Sequence, residues 1–127
     1  MQTERIILRP WQESDAEALY KYASNPEVGP RAGWPPHKSV EESREIIRTI
    51  FSGEGMWAVV LKKTNEPIGC AGYLTSDHSN LKIAADECEV GYWIGQPYWN
   101  QGICTEAMKL VVDYCVNVKG FKTLWGG

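Results

Sequence analysis

The 127-residue chain contains no run of lysine or arginine, no C-x-x-C pair and no apolar stretch long enough to cross a membrane. Its 13 basic and 16 acidic residues give a formal charge of −3, so the basic surface typical of nucleic-acid-binding proteins is not expected. Only two histidines could join the four cysteines as metal ligands, which argues against a zinc site. The first residues lack an apolar signal region. We therefore expect a cytoplasmic protein with reduced thiols that binds neither nucleic acid, membrane nor metal.

Composition is that of a folded protein. Apolar residues make up 43% and charged residues 23%, close to the averages for soluble domains, and the length suits one domain spanning residues 1–127. The six tryptophans and six tyrosines stand out. Such side chains line pockets, and they also pack in ordinary cores, so both interpretations stay open.

Hydrophobic periodicity predicts five strands and three helices. Ser14 and Ser39 each precede a glutamate by three residues, the spacing of a helix-starting capping box, and the third helix follows Gly102. Gly69 and Gly72 interrupt the third strand and predict a bulge or a close backbone approach. The predicted strands are 5–9, 56–62, 68–75, 88–95 and 121–125. The order β-α-α-β-β-β-α-β is that of an α/β or α+β sheet with helices packed on it.

The segment that joins the fourth strand to the third helix has the composition of an anion site. Backbone N–H groups at a helix N-terminus, together with the helix dipole, favour a phosphate. Gly102 lacks a Cβ that would hold a phosphate away, and Thr105 carries a hydroxyl into the first turn. A purely structural turn explains the same residues equally well. The letters match neither the Rossmann nor the Walker phosphate motif.

A family resemblance distinguishes between these interpretations. The stretch Glu89-Val90-Gly91-Tyr92-Trp93-Ile94, followed by 97–107, resembles the cofactor motif of the GNAT superfamily of N-acetyltransferases. It is most similar to the branch that acetylates ribosomal-protein N-termini. The opening segment 5–17 and the segment 67–73 resemble that branch as well. The resemblance implies a mixed, mostly antiparallel central sheet with helices on both faces.

The same resemblance implies acetyl-CoA as co-substrate. Amides of 101–105 would hold its pyrophosphate, and the backbone of 92–94 would pair with its pantetheine arm. Trp99 occupies the first position of the motif, while Asn100 and Cys104 replace smaller residues. The residues implied for the cofactor are Tyr92, Trp93, Ile94, Trp99, Asn100, Gln101, Gly102, Ile103, Cys104 and Thr105.

Glu89, on the cofactor strand, is the predicted general base; a purely structural carboxylate is the alternative. Cys104 could instead accept the acetyl group, because a helix start lowers the pKa of a thiol, but no histidine neighbours it in sequence. Trp34 and Arg31 would border the acceptor site. His78 is expected at the surface.

The family pattern continues past Trp125, and that further part carries an Asn that contacts the cofactor and a Tyr or Ser thought to protonate the leaving thiolate. We expect an exposed sheet edge at 121–125, which a second copy of the chain could cover as a homodimer. Two functions follow. One is acetyl transfer to a primary amine, either a protein N-terminus or a small molecule. The other is an acetyl-CoA-binding module without efficient catalysis.

Overall fold

A computed structural model describes residues 1–28, 36–51, 55–75, 84, 86–99 and 101–126. Four sequence predictions, which concern Arg31, Trp34, His78 and Asn100, lie outside these ranges. Within them, no helix combines the length and apolar composition needed to cross a bilayer.

Five strands form one sheet in the order β1-β2-β3-β4-β5. Strands β1 to β4 pair in antiparallel fashion, each with the next, whereas β5 runs parallel to β4. A parallel neighbour requires a crossover connection, and the third helix supplies it. The predicted mixed, mostly antiparallel sheet is confirmed. The strands are β1 Ile6–Pro10, β2 Met56–Leu61, β3 Glu66–Leu74, β4 Glu87–Ile94 and β5 Thr123–Gly126.

The helices are α1 Ala16–Ala23, α2 Val40–Thr49 and α3 Ile103–Asn117. The cap predicted at Ser39 is confirmed, because its hydroxyl accepts the N–H of Glu42 at 3.0 Å. The cap predicted at Ser14 is wrong. A 3₁₀ turn over Glu13–Asp15 precedes α1, and the Asp15 carboxylate accepts the backbone N–H of Gln12 at 2.9 Å. A carboxylate is the stronger acceptor, and Arg9 fixes this one with bonds of 2.8 and 2.9 Å.

Helix α3 covers one face of the sheet. Its residues Ile103, Ala107, Val111 and Cys115 are at most 2% exposed. The last three belong to the apolar stripe that helical spacing predicts, whereas Val118, predicted for the same stripe, follows the helix and is 67% exposed. Beyond this stripe, the helix contributes Tyr114 to an aromatic cluster. The members of that cluster come from β2, β3, α3 and the turn before β5, and they are Trp57, Tyr73, Tyr114 and Phe121.

Helix α1 packs on the opposite face of the sheet, against β3, and α2 packs against α1. There, the Trp11 ring lies 5.1 Å from that of Phe51, and the indole contacts Cys70 of β3. Burial raises the pKa of the Cys70 thiol to about 12, so this thiol is a packing group. Helices therefore lie on both faces, as expected.

Close backbone approach explains the two glycines of β3. A Cβ at Gly69 would lie 2.3 Å from the Trp93 carbonyl oxygen, and one at Gly72 would lie 2.2 Å from that of Gly55. The β2–β3 register also shifts between Val59 and Val60, opposite this part of β3. Both features suggested by the glycines are thus present.

Candidate functional site

The residue before helix α3 has a backbone conformation that only glycine adopts without strain. Gly102 has φ +78° in the left-handed region, and its carbonyl accepts the N–H of Glu106 at 3.1 Å, the first bond of the helix. The N–H groups of the next three residues therefore lie ahead of the helical ladder, where the dipole is positive. Gly102 carries no side chain that could cover the backbone at this end of α3. The three amides, at Ile103, Cys104 and Thr105, are among those predicted from sequence at 101–105.

Strand β4 offers a second set of backbone groups. Its ladder with β5 ends at the Val90–Gly126 pair, while its ladder with β3 continues to Ile94. The Gly95 N–H donates to Ile68 on the β3 side at 2.7 Å. Because successive peptide groups point to opposite edges, those of Tyr92 and Ile94 point away from β3. Two of the three predicted strand residues, Tyr92 and Ile94, thus direct their backbone groups to the edge of β4 that pairs with β5 at 87–90, and Trp93 directs its own to β3.

A groove of about 620 Å³ joins this strand edge to α3. It begins at the first turn of the helix and follows the outer helix face towards the C-terminus. Cys104 and Thr105, both predicted for the cofactor, line it together with Tyr92, which is 52% exposed. Further along, the lining includes Met108, Lys109 and Val112. The structure therefore brings one predicted strand residue, Tyr92, and two predicted helix residues, Cys104 and Thr105, to one surface. The side chains of Trp93, Ile94 and Ile103 are buried and do not line this groove.

Two side chains brace the connection between β4 and α3. The Trp99 indole N–H donates to the Ile94 carbonyl at 2.7 Å, and the Gln101 amide donates to the Pro97 carbonyl at 3.0 Å. Trp99 and Gln101 were both predicted for the site. In this structure both side chains donate to backbone carbonyls of the same connection. Their contribution to the site is therefore to hold the backbone of that connection in place.

Sequence reasoning missed a charged pair at the same helix start. The Arg5 guanidinium bonds to the Glu106 carboxylate, and Arg5 Nη2 lies 3.4 Å from the position of a Cβ on Gly102. The bond from Arg5 and then that from Thr3 lower the pKa of Glu106 below its ordinary value. Nothing in the sequence links Arg5 to this site, because the two partners are 101 positions apart.

Glu89 lies on a different side of the strand. It is half-buried and pairs with Leu74 of β3 and Trp125 of β5. Strand alternation directs its side chain to the α1 and α2 face, away from the groove beside Tyr92. Along the strand, Glu89 and Tyr92 are roughly 10 Å apart, at about 3.3 Å per residue. The structure thus places the predicted base near the strand edge but not within the groove.

The pKa predicted for Cys104 is wrong. Its thiol is half-buried at the helix start, and burial raises its pKa, so desolvation outweighs the effect of the helix N-terminus. Burial also raises the pKa of the other three thiols. Among the residues described, no three His, Cys, Asp or Glu side chains are grouped to hold a metal ion.

Known proteins are similar to this chain in sequence. The N-acetyltransferase p20 of Bacillus licheniformis, itself uncharacterised, is 33% identical over 88% of the chain and 63% of its own length. YoaA of Bacillus subtilis, an uncharacterised N-acetyltransferase, is 29% identical over 98% of the chain and 70% of its own length. The chain thus spans less than two thirds of p20.

Solved structures agree on the fold. A GNAT-family acetyltransferase from Bacillus anthracis superposes with a TM-score of 0.77 at 18% identity, covering 99% of this chain and 71% of that one. A Vibrio cholerae protein, provisionally described as a ribosomal-protein-serine acetyltransferase, gives 0.75 at 22% identity over 97% and 70%. The sequence model of the acetyltransferase (GNAT) domain matches residues 5–127. With that match over nearly its whole length, the chain belongs to the GNAT acetyltransferase family.

Proposed function

We propose that this protein transfers the acetyl group of acetyl-CoA to a primary amine by direct attack within a ternary complex. One observation carries the proposal: Tyr92 of β4 and the first turn of α3, which follows the left-handed Gly102, line one groove. A diphosphate requires converging N–H donors, and the amides of Ile103–Thr105 supply them. A pantetheine arm contains amides that can extend a sheet at a free edge.

The chemistry needs few groups. The amine nitrogen attacks the thioester carbonyl, the C–S bond breaks, and coenzyme A leaves as a thiolate that takes a proton from water. The backbone N–H of Ile94, directed away from β3, is suited to polarise the carbonyl. Glu89 accepts the proton of the attacking amine, directly or through a water, from the opposite face of the sheet. In this scheme the cofactor occupies the strand edge and the acceptor approaches from the α1 and α2 side.

The acceptor we favour is a peptide N-terminus. The motif around Trp99 and Gly102 resembles the branch that modifies ribosomal-protein N-termini, and one structural neighbour carries a description of that kind. A small-molecule amine is the other class of acceptor. Thiol release measured with a panel of N-terminal peptides, polyamines and aminoglycosides separates the two classes. Each acetyl group transferred to an acceptor frees one coenzyme A thiol.

A second function has its own support. Strand alternation places Glu89 on the face of β4 opposite the groove beside Tyr92. This placement favours an acetyl-CoA-binding module whose catalysis is inefficient or depends on a second copy of the chain. Measuring thiol release and acetyl-CoA affinity across protein concentration decides between them. Saturable binding without release at any concentration supports the module, release that grows with the square of concentration supports completion by a dimer, and absence of binding refutes both functions.

A further inference from the structure

Tyr22 of α1 lies against the turn that leaves β4. A Cβ added to Gly95 would lie 2.5 Å from Cδ1 of the Tyr22 ring, so the ring rests directly on the backbone of the turn. The next three residues, Gln96–Tyr98, form a 3₁₀ turn. Helix α1 therefore touches the connection between β4 and α3 where it begins.

The Tyr22 hydroxyl continues into a short hydrogen-bonded chain. It donates to Oε1 of Glu66, and its oxygen lies 3.4 Å from the Tyr98 hydroxyl. The two tyrosine rings meet edge to face, with centroids 5.8 Å apart. Lys21 Nζ lies 3.4 Å from the same carboxylate. A chain that ends on an ionised carboxylate is stronger than one between neutral groups.

The protonation of Tyr22 determines which group donates in each of these hydrogen bonds. Burial, followed by the bond to Glu66, raises the pKa of Tyr22, so the phenol stays protonated. The Tyr22 hydroxyl has one hydrogen and donates it in a hydrogen bond to the Glu66 carboxylate. The Tyr22 oxygen can then accept a hydrogen bond from the Tyr98 hydroxyl. Asn25, just after α1, adds a parallel bond of 2.7 Å to Gln96. The turn is thus held to α1 at both of its ends.

We propose that Tyr22 is a positioning residue for acetyl-CoA. The chain from Tyr98 through Tyr22 to Glu66 holds the turn between the two backbone surfaces that the cofactor must contact together. These surfaces are the edge of β4 at Tyr92 and Ile94 and the helix start after Gly102. A turn without this restraint must be ordered on binding, and that entropy reduces affinity. The inference rests on the proposed function, because the turn sets the distance between the two surfaces that would bind acetyl-CoA.

The test is the affinity of the full chain for acetyl-CoA, measured by calorimetric titration with circular dichroism as a check on folding. Tyr22→Phe keeps the ring on Gly95 but removes the hydroxyl. We expect its Kd to rise about fivefold, the factor that corresponds to roughly 1 kcal/mol. Tyr98→Phe, at a half-buried position, should do the same, and the double variant should be no weaker than either single variant. Tyr20→Phe on the same helix is the matched control, with unchanged affinity.

Glu66 provides the rescue arm. Glu66→Gln keeps an acceptor for the Tyr22 hydroxyl and should retain most of the affinity, whereas Glu66→Ala should resemble Tyr22→Phe. Where turnover is measured, KM for acetyl-CoA should rise with kcat at saturation unchanged. A folded Tyr22→Phe with the affinity of the unmodified chain, or additive effects of Tyr22→Phe and Tyr98→Phe, would overturn the positioning role alone. Failure of the unmodified chain to bind acetyl-CoA would overturn this role and the proposed function together.

Discussion

Arg5 and Glu106 join the beginning of the chain to the first turn of α3. Arg5 Nε lies 2.6 Å from Glu106 Oε2, and the Thr3 hydroxyl donates to the other carboxylate oxygen at 2.7 Å. An acidic side chain in the first turn also interacts favourably with the helix dipole. The pair therefore anchors the N-terminal segment beside Gly102, at the end of the helix where we place the pyrophosphate.

This pair predicts a pH dependence of stability. The folded protein holds the pKa of Glu106 below its ordinary value of 4.5. The stabilising contribution is therefore complete above pH 4.5 and is lost as the pH falls through the lower folded-state pKa. Glu106→Gln should lower the free energy of unfolding at pH 7 by less than about 1 kcal/mol, because the pair is partly exposed.

Urea unfolding at pH 7, 5 and 3 measures this effect. The difference between the unmodified chain and Glu106→Gln should shrink as the pH falls. Glu17→Gln, which removes an exposed carboxylate from α1, controls for the change of net charge. A difference from Glu106→Gln that stays constant down to pH 3 would contradict the role of the carboxylate.

Gly102 and Gly120 form a matched pair for testing the anion site. Their φ angles are +78° and +73°, so alanine at either position costs roughly 1–2 kcal/mol of backbone strain. A Cβ at Gly120 meets nothing within 4 Å, and one at Gly102 makes only an ordinary contact with Arg5. We expect similar losses of stability from Gly102→Ala and Gly120→Ala, but weaker acetyl-CoA binding, by about tenfold or more, from Gly102→Ala alone. Equal affinities of the two folded variants for acetyl-CoA would show that Gly102 is not part of the anion site.

Glu89 has a comparable control in Glu87. Both lie on β4, and strand alternation places them on the same face. Glu89→Gln should lower kcat by about 10²-fold or more, the usual contribution of a general base, with the Kd for acetyl-CoA unchanged. Glu87→Gln should keep normal turnover, since the Glu87 carboxylate accepts the Ala84 N–H at 2.8 Å in a local turn. Steady-state rates with the best acceptor decide the matter, and equal rates for the two variants would exclude Glu89 as the base.

Cys104 should be the thiol that reveals whether the groove is occupied. It is half-buried, whereas Cys70, Cys88 and Cys115 are buried. Because burial raises its pKa, labelling should be slow at pH 7 and should accelerate by about tenfold per pH unit as the thiolate forms. Saturating acetyl-CoA should slow the reaction several-fold. A disulfide reagent followed by absorbance measures the rate, with Cys104→Ser as the blank; labelling at full speed in the presence of bound acetyl-CoA would show that the cofactor lies elsewhere.

Local pattern was sufficient where structure follows from periodicity. The spacing of Ala107, Val111 and Cys115 predicted the buried face of α3, and the helix follows Gly102 as predicted. The order of elements and the mixed sheet followed in the same way, aided by the family resemblance. Errors arose where neighbours in space competed with neighbours in sequence. Asp15 replaced Ser14 as the capping acceptor because Arg9 reaches it, and desolvation raised the pKa of Cys104 that its helix position alone would lower.

By itself, the sequence determined the strand, turn and helix from Glu89 to Asn117, because hydrophobic spacing and a glycine before the helix act within a few residues. Only the tertiary structure decided what braces that unit. Arg5 meets Glu106 and Tyr22 rests on Gly95 across separations of 101 and 73 positions. Periodicity reports which side of a segment is buried, whereas the identity of a distant partner depends on how strands align once the sheet has formed.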